Sequence, residues 1–299
     1  MRTQSVHRYT VGHIARFGLF ALFATSLAPA ARADHAPLTR GQERVEASNN
    51  ALRRKWQKIK VAQITPMGGK SAQVLQVQSD DNQLFIVRRP RRQVEHGLRV
   101  NIAQQRLAAA MGDDRLVPAA IIDTTQESLD ANSPAGAQVL VVKHVGPMYY
   151  NANKFRPQQL VAVPERSRLV SAIIDLLAEQ QDRKSENIMV KRDGSAIRMI
   201  DPDKSFGERH GRKYRSQFFH GGVVGYTSQQ NRFEDLPADL QTFIDALSKA
   251  TVPDIMKIYG LTEPEATVVS NQAARIRTVG LKAAIDEYVT SLGELHAPE

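Results

Sequence analysis

Two short apolar runs, Ile188-Met189-Val190 and Ile197-Arg198-Met199-Ile200, stand on either side of Asp193-Gly194. Runs of this length around Asp-Gly read as a β-hairpin. A hairpin returns the chain on itself, so it brings the segment before its first strand next to the segment after its second. Before it lies Asp182-Arg183-Lys184-Ser185-Glu186-Asn187, and after it Asp201-Pro202-Asp203-Lys204-Ser205-Phe206-Gly207. Asn187 and Asp201 are therefore expected close together, an amide oxygen beside a carboxylate, with Asp182 one loop away. Mg²⁺ takes such hard oxygen donors and brings its own waters. Phosphoryl transfer needs metal ligands facing the phosphates and an Asp near the attacking hydroxyl. Either loop alone would read as a capped turn; the two at hairpin spacing carry the functional reading.

The rest of the chain divides in character. Residues 39–58 read as a helix, with Thr39 and Gln42 as a capping box and Arg53, Arg54, Lys55 and Lys58 near its end, where the dipole favours cations. A strand over Ile59–Ile64, a glycine loop over Pro66–Ser71 and a strand over Ala72–Val77 come next, then a turn at Asp80-Asp81-Asn82 and a strand over Leu84–Val87 ended by Pro90. These form an antiparallel meander. Val94–Met111 reads as a helix stopped by Gly112, and Val117–Ile122 and Gln138–Val142 as two more strands around a polar loop. The second half is helical: Arg166–Leu177, then stretches near 237–248, 252–259, 263–275 and 280–292, with a long polar segment over 203–235.

Asp182-Arg183-x-x-x-Asn187 followed by Ile200-Asp201-x-x-x-x-Phe206-Gly207 resembles the catalytic and metal-binding loops of the phosphatidylinositol 3/4-kinase-like branch of the protein-kinase-like fold. The resemblance covers about residues 59–250 and is concentrated in the two loops. It implies an α+β, two-lobed fold: a small antiparallel-sheet N-lobe with one helix over 59–144, a larger mainly helical C-lobe over 145–299, and a helical extension over 34–58. It implies ATP and Mg²⁺ as cofactors, Asp182 as the catalytic Asp assisted by Lys184, and Asn187 and Asp201 as metal ligands. Gly68, Gly69 and Lys70 of the glycine loop, Arg88 of the third strand, and the hinge around Val142 and His144 would meet the nucleotide. The chain departs from the family in carrying Arg88 where a Lys is usual, Asn101 where a helix Glu is usual, and Lys184 where a His is common. Arg88 could hold phosphate bidentately, although Arg and Lys are not interchangeable at a shaped site. Lys70 could instead supply the ammonium, with Glu95 or Gln104 as its partner.

Residues 1–33 hold Arg2, Arg8, Arg16 and Arg32 and no acid, then an apolar block from Phe17 to Ala24 and Ala31-Arg32-Ala33. That is the order of a secretory signal peptide, and it implies export to the periplasm or beyond. Removing it takes the net charge from +9 to +5, a weak basis for nucleic-acid binding. No later apolar run approaches the ~18–20 residues of a membrane span. With no cysteine, disulfides, thiolate metal sites and thiol nucleophiles are excluded. Gly69-Lys70-Ser71 lacks the earlier glycine of a phosphate-binding P-loop, since position 64 is Ile. Arg88-Arg89-Pro90-Arg91-Arg92 reads as a solvated basic run, and Trp56 as a packing residue. Arg209–Arg215 reads equally as an acceptor site for a lipid headgroup or acidic protein and as a solvated loop. The expectation is a secreted kinase with a protein Ser/Thr or lipid acceptor. Its rivals are a pseudokinase acting through a partner and a metal-dependent phosphotransferase or hydrolase using Asp201 and Asp203.

Overall fold

A computed structural model describes residues 35–68, 72–90, 94–124, 138–206, 215–227 and 229–294. The expected signal peptide, Gly69, Lys70 and Gly207 lie outside the described residues. The molecule is α+β. Helices α1 (Ala36–Thr39) and α2 (Gln42–Trp56) precede strands β1 (Val61–Gly68), β2 (Ala72–Ser79) and β3 (Leu84–Pro90). Helix α3 (Val94–Ala110) leads to β4 (Ala120–Thr124), β5 (Gln138–Lys143) and β6 (Tyr149–Asn151). After α4 (Pro157–Leu160) and α5 (Glu165–Leu177) comes the hairpin of β7 (Ile188–Lys191) and β8 (Ile197–Met199). The chain then runs into α6 (Ala238–Lys249), α7 (Val252–Tyr259), α8 (Glu263–Val279) and α9 (Leu281–Glu294).

The first five strands form one antiparallel sheet in the order β1-β2-β3-β5-β4. Period-2 alternation sorts its side chains. Phe85 and Val87 of β3 and Val139 and Val141 of β5 face the buried Leu52 and Trp56 of α2. The Trp56 ring meets Phe85 edge-on at 5.5 Å. Ile86 and Arg88 therefore point to the opposite face, beside Leu140 and Val142 in the β3–β5 register. That face carries the candidate site.

Two expectations need correction. The helix does not start at Thr39 with a capping box. The chain breaks between α1 and α2 at Gly41, whose φ of 74° is in the left-handed region. A Cβ there would stand 3.0 Å from that of Ala109, so the break lets α3 pass close by. The first strand also does not stop before Pro66 but runs to Gly68. β1 is an edge strand, where the missing amide of Pro66 costs no ladder bond, and a register shift between Pro66 and Gly68 absorbs the irregularity.

Helix α3 packs away from the sheet's apolar cluster. Its Val100, Ala103 and Leu107 belong to the larger cluster that also holds α5 and the helices from α6 to α9. The hairpin forms as its turn chemistry requires. Gly194 has φ 74°, and Asp193 Oδ1 accepts from the Ser195 amide at 2.9 Å. Ile188, Val190, Ile197 and Met199 face the larger core, leaving Met189 and Arg198 on the other face. Two short elements, β6 and α4, carry too little periodicity to be seen in the sequence.

Trp56→Ala removes the largest side chain between α2 and the sheet. A loss of about 3–5 kcal/mol in chemical denaturation is expected.

Candidate functional site

The loop between α5 and β7 is organised by a buried charge. Arg183 and Asp175 are both fully inaccessible, and Arg183 Nε donates to both Asp175 oxygens at 3.2 Å. Arg183 Nη1 donates to the carbonyls of Ile200 (2.5 Å) and Asn187 (3.4 Å), and Nη2 to Gln104 Oε1 (3.3 Å). One guanidinium thus ties α5, both candidate loops and α3. Ser216 Oγ donates to Asp175 Oδ2 at 2.6 Å and brings in a further segment. Burial pushes the Asp175 carboxyl up, and Arg183 pulls against that shift.

Held in this way, Asp182 and Asn187 come into contact. Asn187 Nδ2 donates to the Asp182 carbonyl at 2.7 Å and approaches Asp182 Oδ2 at 3.4 Å. The amide nitrogen is thereby committed, which leaves the side-chain oxygen of Asn187 as its acceptor group. Lys184 Nζ lies 3.8 Å from Asp182 Oδ1, and Lys204 Nζ lies 3.7 Å from Oδ2. Asp182 Oδ1 is buried and accepts no hydrogen bond among the described residues. An orphaned carboxylate oxygen is unusual, because buried acceptors are ordinarily satisfied.

Asp201 lies two residues past the end of β8, and the Ile200 amide donates to the Asn187 carbonyl at 3.1 Å. The hairpin therefore joins the two loops as expected. Asp201 itself has φ 56°, a left-handed backbone costly for a non-glycine residue and concentrated at functional sites.

Arg88, expected to hold phosphate, is engaged by carboxylates. Lys70, for which Glu95 or Gln104 was the expected partner, lies outside the described residues. Gln104 instead donates to Ser205 Oγ at 2.9 Å and accepts from Arg183. Asn101 is buried and accepts from Gln105, whose amide also reaches the Pro118 carbonyl. Arg88 crosses to the loop after the hairpin. Its Nη1 and Nη2 donate to Asp203 Oδ1 (2.9 Å) and Oδ2 (2.6 Å), and Nη1 also lies 2.8 Å from Asp201 Oδ1. This bidentate clamp sets charge-assisted bonds between the sheet and the hairpin. Burial and the neighbouring Asp201 raise the Asp203 carboxyl above its usual range, opposed by Arg88.

The remaining candidates are dispersed. Gly68 closes β1, and Val142 lies on β5 opposite Ile86. His144 lies just past β5, and its Nδ1 accepts from the Gly146 amide at 3.0 Å. Burial lowers its pKa, so the ring is neutral with its proton on Nε2. Among the described residues no group of three or more His, Asp or Glu converges as a metal cage. A Mg²⁺ ion would take the oxygens of Asn187 and Asp201, with water and phosphate completing its shell, and the donor chemistry fits. It would share the Asp201 carboxylate with Arg88, which lies on Oδ1.

A second polar cluster has no signature in the local sequence. Arg99 and His96 of α3 contact Glu265 of α8, with Arg99 Nη2 at 2.9 Å and His96 Nδ1 at 3.5 Å. His96 Nε2 also lies 3.3 Å from the Asp203 carbonyl. Burial opposes ionisation of Glu265, but the bonds from His96, Arg99 and Thr262 hold its carboxyl well below the usual value. An acid inside a helix's first turn reads from sequence as a cap, which Glu265 also is, since it accepts from the Thr262 amide.

No protein-family model matches the chain, and no curated protein matches it.

Two outcomes are expected from this geometry. Arg183→Ala strands Asp175 in the core and should cost about 3–5 kcal/mol in denaturant titration, against about 0–1 kcal/mol for the half-exposed Lys184→Ala. Glu265 has a depressed folded pKa, so its contribution is present above the ordinary carboxylate value of 4.5 and is lost as pH falls below it. Glu265→Gln is expected to lower stability at pH 7 by about 1–2 kcal/mol and to flatten the acid limb of a stability–pH curve.

Proposed function

We propose that the protein is a kinase-like phosphotransferase with a two-lobed arrangement, binding ATP between its sheet and its helical region. The observation that carries this reading is the Asp182–Asn187 contact, in which a carboxylate with an unsatisfied buried oxygen meets an amide, with Asp201 one residue past the Ile200 amide that bonds the Asn187 carbonyl. In this reading the hydroxyl of the acceptor gives its proton to Asp182 as its oxygen bonds to the γ-phosphorus. The bond from that phosphorus to the bridging oxygen breaks, and ADP leaves. Mg²⁺, when bound, would neutralise charge on the β- and γ-phosphates. Asn187 and Asp201 would hold it. Lys184 and Lys204 flank Asp182 and would meet phosphate oxygens in transit. The face bearing Ile86 and Val142 would cover the base, and the glycine loop around Gly68, Gly69 and Lys70 would cover the phosphates. A protein Ser or Thr is preferred over a lipid as acceptor. The signal-peptide pattern of residues 1–33 supports export.

The Arg88 clamp favours one second reading, a pseudokinase. A guanidinium seated on Asp201 and Asp203 fills the position of a divalent cation and joins sheet to hairpin without one.

The two readings separate by experiment. For the phosphotransferase, transfer from γ-labelled ATP to a protein acceptor or to the chain itself falls at least about 100-fold in Asp182→Asn. It falls comparably in Asp201→Ala, with both variants folded by circular dichroism. Label transfer unchanged in both would remove this site assignment. For the pseudokinase, Mn²⁺ binding is absent in the native chain and emerges in Arg88→Ala, where the carboxylates are released.

A further inference from the structure

A cavity of about 450 Å³ lies behind the connection from β5 to the helical region. It is lined by α2, the segment before β4, the end of β5 with the residues after it, and β8. None of Arg88, Asp182, Asn187 or Asp201 lines it; of the candidate residues only His144, past the end of β5, borders it.

Its charge is one-sided. Arg44, Arg115, Lys143 and Arg198 border it against a single acid, Asp114. Asp114 is already engaged by Arg44 at 3.2 Å. Arg115 and Lys143 make no ion pair among the described residues. Arg198 Nη1 donates to the Ile197 carbonyl, and its guanidinium lies 5.3 Å from the Tyr149 ring centroid, with no carboxylate partner among the described residues. Stacking holds this guanidinium in place without neutralising it. His144 keeps its Nε2 proton as a neutral donor, because its Nδ1 accepts from Gly146.

Like charges on a convex surface spread into solvent. Around a concave, low-dielectric wall they focus the field and concentrate a counter-ion. Cavities of this size hold small molecules, and Arg and Lys together recognise phosphate groups. We infer that this cavity is a binding site for a small polyanion carrying at least two phosphate or sulfate groups. Lys143, Arg115 and Arg198 would be its charge partners and His144 Nε2 a neutral donor. The inference is independent of the proposed reaction. The occupant would sit against the chain segment that joins the sheet to the helical region.

Inorganic pyrophosphate is the probe, titrated calorimetrically into the protein without divalent metal at low and high salt. Saturable binding that weakens steeply with salt is expected. Arg115→Ala and Lys143→Ala, both at exposed positions, are each expected to weaken it about tenfold. Lys257→Ala, an exposed cation on α7, should leave it unchanged. Asp114→Asn should tighten it by releasing Arg44. Inorganic sulfate and monophosphate should bind more weakly than pyrophosphate. No binding at millimolar pyrophosphate would overturn the inference. So would binding unchanged in Arg115→Ala and Lys143→Ala, or equal loss in Lys257→Ala, which would mark a response to net charge.

Discussion

The Arg183 guanidinium has no access to solvent, and the loops bearing the candidate chemistry are built around its contact with the equally buried Asp175. Taking an ion pair out of water costs several kcal/mol per ion, and only good geometry with full hydrogen bonding offsets that cost. Arg183 meets the requirement with acceptors on five atoms: both Asp175 oxygens, the Ile200 and Asn187 carbonyls and Gln104. Two of those acceptors are main-chain groups at the ends of β7 and β8. The pair therefore fixes where Asn187 and Asp201 begin, and Asp182 precedes Arg183 directly. The candidate group inherits its geometry from a neighbour that does no chemistry.

A second set of charges governs how the sheet meets the rest. Arg88 reaches Asp201 and Asp203 from β3, and His96 and Arg99 reach Glu265 from α3. Both contacts link the N-terminal elements to elements after the hairpin. Arg88 places a positive charge against both the Asp201 and the Asp203 carboxylates. A lysine could not hold Asp203 with two parallel donors while touching Asp201, because only guanidinium offers that fork.

The sequence disclosed local features better than cross-chain ones. The Asp-Gly turn and the alternating runs beside it specify the hairpin, and the hairpin brings Asn187 to Asp201. Helices α3, α5 and α8 announce themselves by period, since their apolar stripes are long. The Arg88 clamp was hidden, because its partners lie more than a hundred residues away and no local pattern encodes the pairing. Asp175 did leave a signal. It interrupts the apolar run from Ala172 to Leu177, and an acid buried all round must have a cation, which Arg183, eight residues on, supplies. The sequence reads Pro66–Ser71 as a glycine loop, whereas β1 runs on to Gly68, and the edge position that lets it hold Pro66 is a tertiary fact.

The central claim is a nucleotide–metal site at Asn187 and Asp201. Thermal unfolding of the protein with and without Mg²⁺ and ATP, beside Asn187→Ala, tests it most directly. A ligand at about 100 times its dissociation constant stabilises the folded state by about 2.7 kcal/mol, a rise of a few degrees in Tm. A site of this kind requires that rise, dependent on Mg²⁺ and absent from Asn187→Ala. An unchanged Tm at millimolar ATP, or an equal rise in the variant, would contradict it.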